Sequence, residues 1–381
     1  MIKSKRIFWR AVQPLVGSVI GVGIFGLPFV FAQSGFGIGI AHLVVIAIFN
    51  TVLLLAFADI IKNSEGHPRI TGVMERYLGK GWAWVATLIS FSASWGAIVA
   101  YIIIGGEFLH ALVSPLIGGG VMTYQIIFYA VSAILVIGGL GFISRLEVVF
   151  VFTMMIMLLL IVLGSAPHVE FEQLTYVDSS QWFLPFGALL FAFGGLAAIP
   201  EMSQVLGKYK EKYLNKAIVT GFIIVSMVYL IFIAIVVGVS GVNTTNEAIV
   251  GLGDVVGNWV LVIGSVVGLF SVFTSFLILS VSVMDTLIYD FKRRHLVGWF
   301  IAVSVPLIVF LLGARSFIHV IGFTGGILGG SMGILVIYMY FKAKKHVCTP
   351  KRCLVLPNWL LYLSALVFLS GIVMTVISVS Q

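Results

Sequence analysis

The stretch Gly17-Ser-Val-Ile-Gly-Val-Gly-Ile-Phe-Gly-Leu-Pro28 holds little side-chain chemistry but much backbone chemistry. A glycine costs a helix interior ~1 kcal/mol relative to alanine, and here a glycine-rich run leads into a proline that lacks an N–H. In an apolar span, N–H and C=O groups released by such a break cannot face lipid and must meet protein, water or a bound solute. On its own the pair Gly17 and Gly21 would equally make a small-residue surface for helix packing. A second run of the same kind, Leu190-Phe-Ala-Phe-Gly-Gly-Leu-Ala-Ala-Ile-Pro-Glu201, favours the opened helix. Half-helix N-termini, each with about half a positive charge, hold a carboxylate, while released carbonyls hold a cation. Two such breaks at one depth suit an amphoteric solute, of which an amino acid is the simplest.

The elements that must carry these runs are membrane helices. The chain has 381 residues, 60% hydrophobic and 9% charged, with a mean hydropathy of +1.16, far from the quarter or so of charged residues in a soluble domain. Apolar runs of spanning length lie near 11–32, 36–61, 83–113, 122–142, 146–164, 182–206, 216–240, 257–290, 296–313, 317–341 and 358–379, about eleven helices. Alternating ten-residue segments of the kind that build outer-membrane barrels are scarce. The first span follows Lys3, Lys5, Arg6 and Arg10 like a signal peptide, yet it is too long and lacks a small-residue cleavage site, so it is read as retained.

Lys and Arg set the orientation. With the N-terminus inside, Lys62, Arg69, Arg76, Lys80, Arg145, Lys208 to Lys216, Lys292 to Arg294 and Lys342 to Arg352 all fall inside, whereas Glu170, Glu172, Asp178, Glu247 and Asp254 fall outside. The expected protein is a multi-pass inner (plasma) membrane protein with a cytoplasmic N-terminus and an external C-terminus. The net charge of +8 then reports topology and affinity for lipid headgroups, and calls for no nucleic acid. Cys348 and Cys353 share an inner loop and are expected as free thiols. An interrupted helix at the head of each of two five-helix blocks is the pattern of an inverted-repeat transporter: 1–165 and 166–345 form the repeats and 346–381 adds a C-terminal helix.

Four segments carry a family resemblance: Gly17 to Pro28, Ala100-Tyr-Ile-Ile-Ile-Gly-Gly-Glu107, Phe191-Ala-Phe-Gly-Gly to Pro200-Glu201, and Phe273-Thr-Ser-Phe-Leu277. Over nearly the whole chain the sequence resembles the amino acid/auxin permease family and the bacterial aromatic and hydroxy amino acid permeases, within the amino acid-polyamine-organocation superfamily. The resemblance implies an all-α, five-plus-five, leucine-transporter-like fold with discontinuous first and sixth helices. It implies cation-coupled amino acid transport by alternating access, with aromatic or other neutral substrates, and neither a cofactor nor an obligate protein partner. By the same resemblance, substrate sits among Ser18, Val19, Gly21, Val22, Gly23, Tyr101, Phe193, Gly194, Gly195 and Leu196. Many relatives carry His where this chain has Leu196, which removes a histidine role there.

Adjacent hydroxyls Thr274 and Ser275 would join the carbonyls of Gly17, Ile20 and Ser271 in an oxygen cage suited to Na+; the same hydroxyls in a membrane helix often bond only their own i−4 carbonyls. The coupling ion is left as Na+ or H+. Glu201 is a candidate gating or proton-linked carboxylate, and Asp285 or Asp290 would close the inner mouth by pairing with Lys3, Lys5 or Arg6. Asp59, Glu107 and Glu147 are read as interfacial. Residues 63–80 are expected to hold a short inner surface helix, and 243–258 an outer helical lid. Two rival readings compete with this one. Gly329-Gly-Ser331-Met-Gly333 has the G-x-S-x-G spacing of serine hydrolases, intramembrane proteases included. His319, however, lies twelve residues earlier on the same expected helix, about 18 Å away at ~1.5 Å per residue, and a small-residue seam explains the run better. A channel or nutrient sensor would need a repeated filter or a signalling domain, and neither is present in the sequence.

Overall fold

The computed structural model describes residues 2–63, 70–138, 154–347 and 356–380. Among them the chain is helical throughout: α1 (Ile2–Val19), α2 (Gly23–Ser34), α3 (Phe36–Lys62), α4 (Ile70–Leu78), α5 (Lys80–Ile117), α6 (Val121–Val136) and α7 (Met154–His168). Then follow α8 (Leu184–Ala192), α9 (Ala198–Leu206), α10 (Lys210–Ser240), α11 (Ile249–Val256), α12 (Asn258–Tyr289), α13 (His295–Leu311), α14 (Phe317–Phe323), α15 (Gly330–Val347) and α16 (Asn358–Ser380). Extended pairing in the described residues is limited to one bridge, Gly35 with Val177. Among the described residues six helices are long and apolar enough to cross a membrane, seven with the bent pair α1/α2 taken as one span; α8/α9 and the shorter apolar helices α6, α7 and α13 occupy the other expected positions.

These helices are apolar on nearly every side, as spans must be, and several of their hydroxyls are satisfied locally. Thr51, Thr87, Thr286, Ser364 and Thr375 each donate to the carbonyl four residues back, which keeps a polar atom from facing lipid.

Packing sorts the spans into two groups. In one, α1 lies on α9 and α10, α2 on α8 and α10, and α3 on α8, α9 and α10; in the other, α5, α6, α12 and α13 pack on each other. The α14–α15 span lies between, touching α8 on one side and α5 on the other. Helices form in both segments expected to hold them, as α4 and α11.

Pro28 lies inside α2 and Pro200 in the first turn of α9, where the absent N–H of Pro200 costs nothing. Two expectations need correction. Asp59 is not interfacial but fully buried, 2.7 Å from Lys62 one turn on. Glu107 likewise buries its Oε2 with no hydrogen-bond donor, close enough to Glu247 of the lid loop for the two carboxylates to interact. Arg69, Arg145, Glu147, Cys348, Cys353 and the side chain of Lys3 lie outside the described residues.

Candidate functional site

Both glycine runs open where the sequence expects, and they open toward each other. In the first, Ile20, Gly21 and Val22 leave the helix, and the flanking segments Lys5–Val19 and Gly23–Ser34 meet at 59°. The Gly21 N–H turns back to the Val19 carbonyl at 2.9 Å, so the Gly17 and Ser18 carbonyls lose their i+4 donors. Among the described residues the Val22 and Gly23 N–H groups make no hydrogen bond; they are the free N-terminus of α2. In the second, residues 193–197 are non-helical, and the Gly195, Leu196 and Ala197 N–H groups are similarly open at the head of α9. Each break therefore presents a positive helix end.

Glycine is required here for approach and room, since none of the break glycines has a positive φ. A Cβ on Gly23 would come within 2.8 Å of the Ala192 Cα. Gly21 has open space around it, and a Cβ on Gly194 would meet only the Phe191 carbonyl of its own segment, at 3.1 Å. Ser18 and Gly194 are exposed, whereas Val19, Ile20, Val22 and Gly195 are buried. A gap lined by backbone thus lies beside a close-packed junction.

Two side chains that the sequence reading passed over hold this junction. The Asn50 amide of α3 donates to the Phe193 carbonyl at 2.6 Å. The Tyr229 hydroxyl of α10 lies 2.6 Å from the Val19 carbonyl oxygen and 3.0 Å from that of Ala192. Asn50 was findable, because a lone amide inside an apolar span has to bond something. Tyr229, one aromatic among many, carries no such signal. Phe193 faces away from the gap: its ring stacks on Phe222 and packs against Tyr229, and Asn50 holds its carbonyl.

Of the remaining expected residues, Tyr101 turns its hydroxyl toward that of Ser275 across the α5–α12 contact. Thr274 donates to its own helix, to the carbonyls of Phe270 (3.1 Å) and Ser271 (3.0 Å), while the Ser271 hydroxyl meets the Met154 sulfur. A hydroxyl that donates backward keeps its lone pairs for a cation, so the donor set, all oxygen, fits a hard cation. Among the described residues no hydrogen bond ties Thr274 or Ser275 to Gly17 or Ile20. Glu201 is exposed in the first turn of α9, where a carboxylate complements the helix dipole. Lys5 and Arg6 are exposed on α1, and among the described residues neither forms an ion pair with Asp285 or Asp290. The G-x-S-x-G run is a seam: a Cβ on Gly330 or Gly333 would press on Ile372 or Phe368 of α16.

Comparison with known proteins agrees with this architecture. The chain is similar to the glutamine transporter 2 of Aliivibrio fischeri (23% identity, 82% of this chain and 83% of that one). It is similar to the tyrosine-specific transport system 1 of Haemophilus influenzae (24% identity, 89% of each). In structure it matches a crystal structure of MhsT in complex with L-phenylalanine, with a TM-score of 0.71 over 97% of both chains at 14% identity, so the leucine-transporter-like fold is shared. The family model for the tryptophan/tyrosine permease family covers residues 3–378, which supports the bacterial aromatic permease side of the resemblance and does not confirm the amino acid/auxin name. A match of that extent decides between carrier and enzyme: the chain belongs to the tryptophan/tyrosine permease family and is an amino acid transporter.

Proposed function

We propose that the protein is a secondary active, cation-coupled symporter for aromatic or other neutral amino acids, working by alternating access. The observation that carries this reading is the pair of opened helices meeting at one junction, with free N–H groups from both and an exposed gap beside them. The substrate carboxylate lies on the N–H groups of Val22 and Gly23, and its ammonium on released carbonyls of the Gly17 to Ile20 segment. The second break contributes Gly194, Gly195 and Leu196, and Tyr101 closes the pocket from α5. Such backbone recognition reads the part common to all amino acids, and leaves the side chain to the apolar walls. The aromatic preference is supported by the family and by the tyrosine-specific relative; the glutamine relative keeps smaller neutral side chains in the panel.

The coupling ion is Na+ or H+. If it is Na+, the Gly17 and Ile20 carbonyls with Ser271, Thr274 and Ser275 would hold it as cargo. The opening glycine motif supports placing the family within the wider amino acid/auxin and polyamine-organocation grouping, with repeats at 1–165 and 166–345 and an added helix in 346–381.

The test is uptake into proteoliposomes of a panel of labelled amino acids under imposed sodium or proton gradients. Saturable uptake of at least one aromatic or neutral amino acid, driven by one of the two gradients, is expected. In the same assay Gly194→Leu, whose Cβ would meet only the Phe191 carbonyl of its own segment at 3.1 Å, is expected to lose uptake by 10-fold or more, about 1.4 kcal/mol, with normal membrane insertion. Intact uptake by that variant would move the pocket elsewhere.

A further inference from the structure

One hydroxyl stands where two half-helices end. α1 stops at Val19 and α8 at Ala192, and the Tyr229 oxygen lies within hydrogen-bond distance of both terminal carbonyls, at 2.6 and 3.0 Å. Each carbonyl is the negative end of a helix dipole, with about half a unit of charge. Brought within two hydrogen-bond lengths of each other in an apolar interior, they repel unless something positive lies between them. Among the described residues the buried cation is Lys62, and Asp59 holds it at the inner end of α3. The Gly21 N–H already donates to the Val19 carbonyl at 2.9 Å, and the Tyr229 hydroxyl is the side-chain donor that faces both terminal acceptors. The Tyr229 ring is fully buried and packs against Phe193, which stacks on Phe222, so the hydroxyl cannot swing away. Beside it Gly23 rests directly on Ala192, so the same junction sets how near the head of α2 comes to the second break.

We propose that Tyr229 is a positioning residue that holds the two breaks in register, its proton offsetting the repulsion between the C-terminal ends of α1 and α8. The proposal rests on the reading of the breaks as the substrate site. Tyr229 touches the flanks of that site and not the solute, acting through the Val19 and Ala192 carbonyls. A zwitterion must engage free N–H and C=O groups whose spacing this junction sets. Relaxing the register therefore weakens binding, while the later movement of the helices is left alone.

Tyr229→Phe removes one oxygen and keeps the ring. Uptake kinetics, equilibrium binding of the best panel substrate and melting without substrate are compared with wild type in proteoliposomes and detergent. KM and Kd are expected to rise by about 10-fold or more, with Vmax within about twofold and the substrate-free melting temperature within about 2 °C. Unchanged KM and Kd would overturn the proposal, and so would a loss confined to Vmax, which would assign the hydroxyl to the moving step. A variant that fails to insert, or melts far below wild type, would overturn it too, leaving a hydrogen bond of purely structural value. If wild type itself takes up no amino acid of the panel, the reading of the breaks fails and the proposal with it; wild-type uptake with an unaltered variant sinks the proposal alone.

Discussion

At the scale of single residues, the polar atoms of this protein are few and each is placed at a cost. Buried polar groups in an apolar interior need partners, and the locations of Asn50, Tyr229 and the Asp59–Lys62 pair follow from that need. Glu247 is the buried carboxyl outside the spans. It is 8% exposed in the loop ahead of α11, and burial pushes its carboxyl above its ordinary value of 4.5, against hydrogen bonding that pulls it down. A carboxyl raised in the folded state binds its proton more tightly than in the unfolded chain. Its contribution is therefore intact below the ordinary carboxylate range and is lost as pH rises through the folded value. Glu247→Gln is expected to remove this loss: melting temperature in detergent should fall with pH in wild type above the acid range and fall less in the variant. Parallel melting curves for the two proteins across that range would show that the carboxyl does not titrate with folding.

At the scale of elements, the two breaks were legible because glycine clustering inside an apolar run is a backbone signal that needs no partner to be read. The openings fall at residues 20–22 and 193–197, α2 resumes at Gly23 and α9 at Ala198, and Pro28 and Pro200 lie inside the resumed helices. The wide π-helical turn at Thr324–Gly329 had no counterpart in the sequence reading. It forms where a Cβ on Gly325 or Gly326 would run into α8 or Thr375 of α16, so close approach to two neighbours decides it. The neighbouring seam is testable. A Cβ on Gly333 would stand 2.9 Å from the Phe368 ring, so Gly333→Ala should cost ~1–3 kcal/mol by overpacking. Adding Phe368→Ala should recover part of that in a thermal melt, whereas strictly additive losses would mean that the two do not touch.

For the whole molecule, the division of helices into an α1/α2, α3, α8/α9, α10 group and an α5, α6, α12, α13 group is the division that rocking-bundle transport needs. A carrier built this way should show counterflow, accumulating labelled solute against an excess of unlabelled solute on the far side; a conductance without exchange would instead mark a channel. The charge asymmetry predicts that a membrane-impermeant maleimide reaches Cys348 and Cys353 only after the membrane is opened from the cytoplasmic side; labelling of intact cells would invert the topology. Membrane residence and the sites of helix opening are legible in the chain taken locally, because hydropathy and glycine content act within ~20 residues of where they are written. What the opened backbone faces is not local. That Val19 and Ala192 share one tyrosine 210 and 37 residues away, and that Asp59 and Glu107 are interior, came only from the packing of distant helices, because a buried polar atom is satisfied by whatever the tertiary fold brings to it.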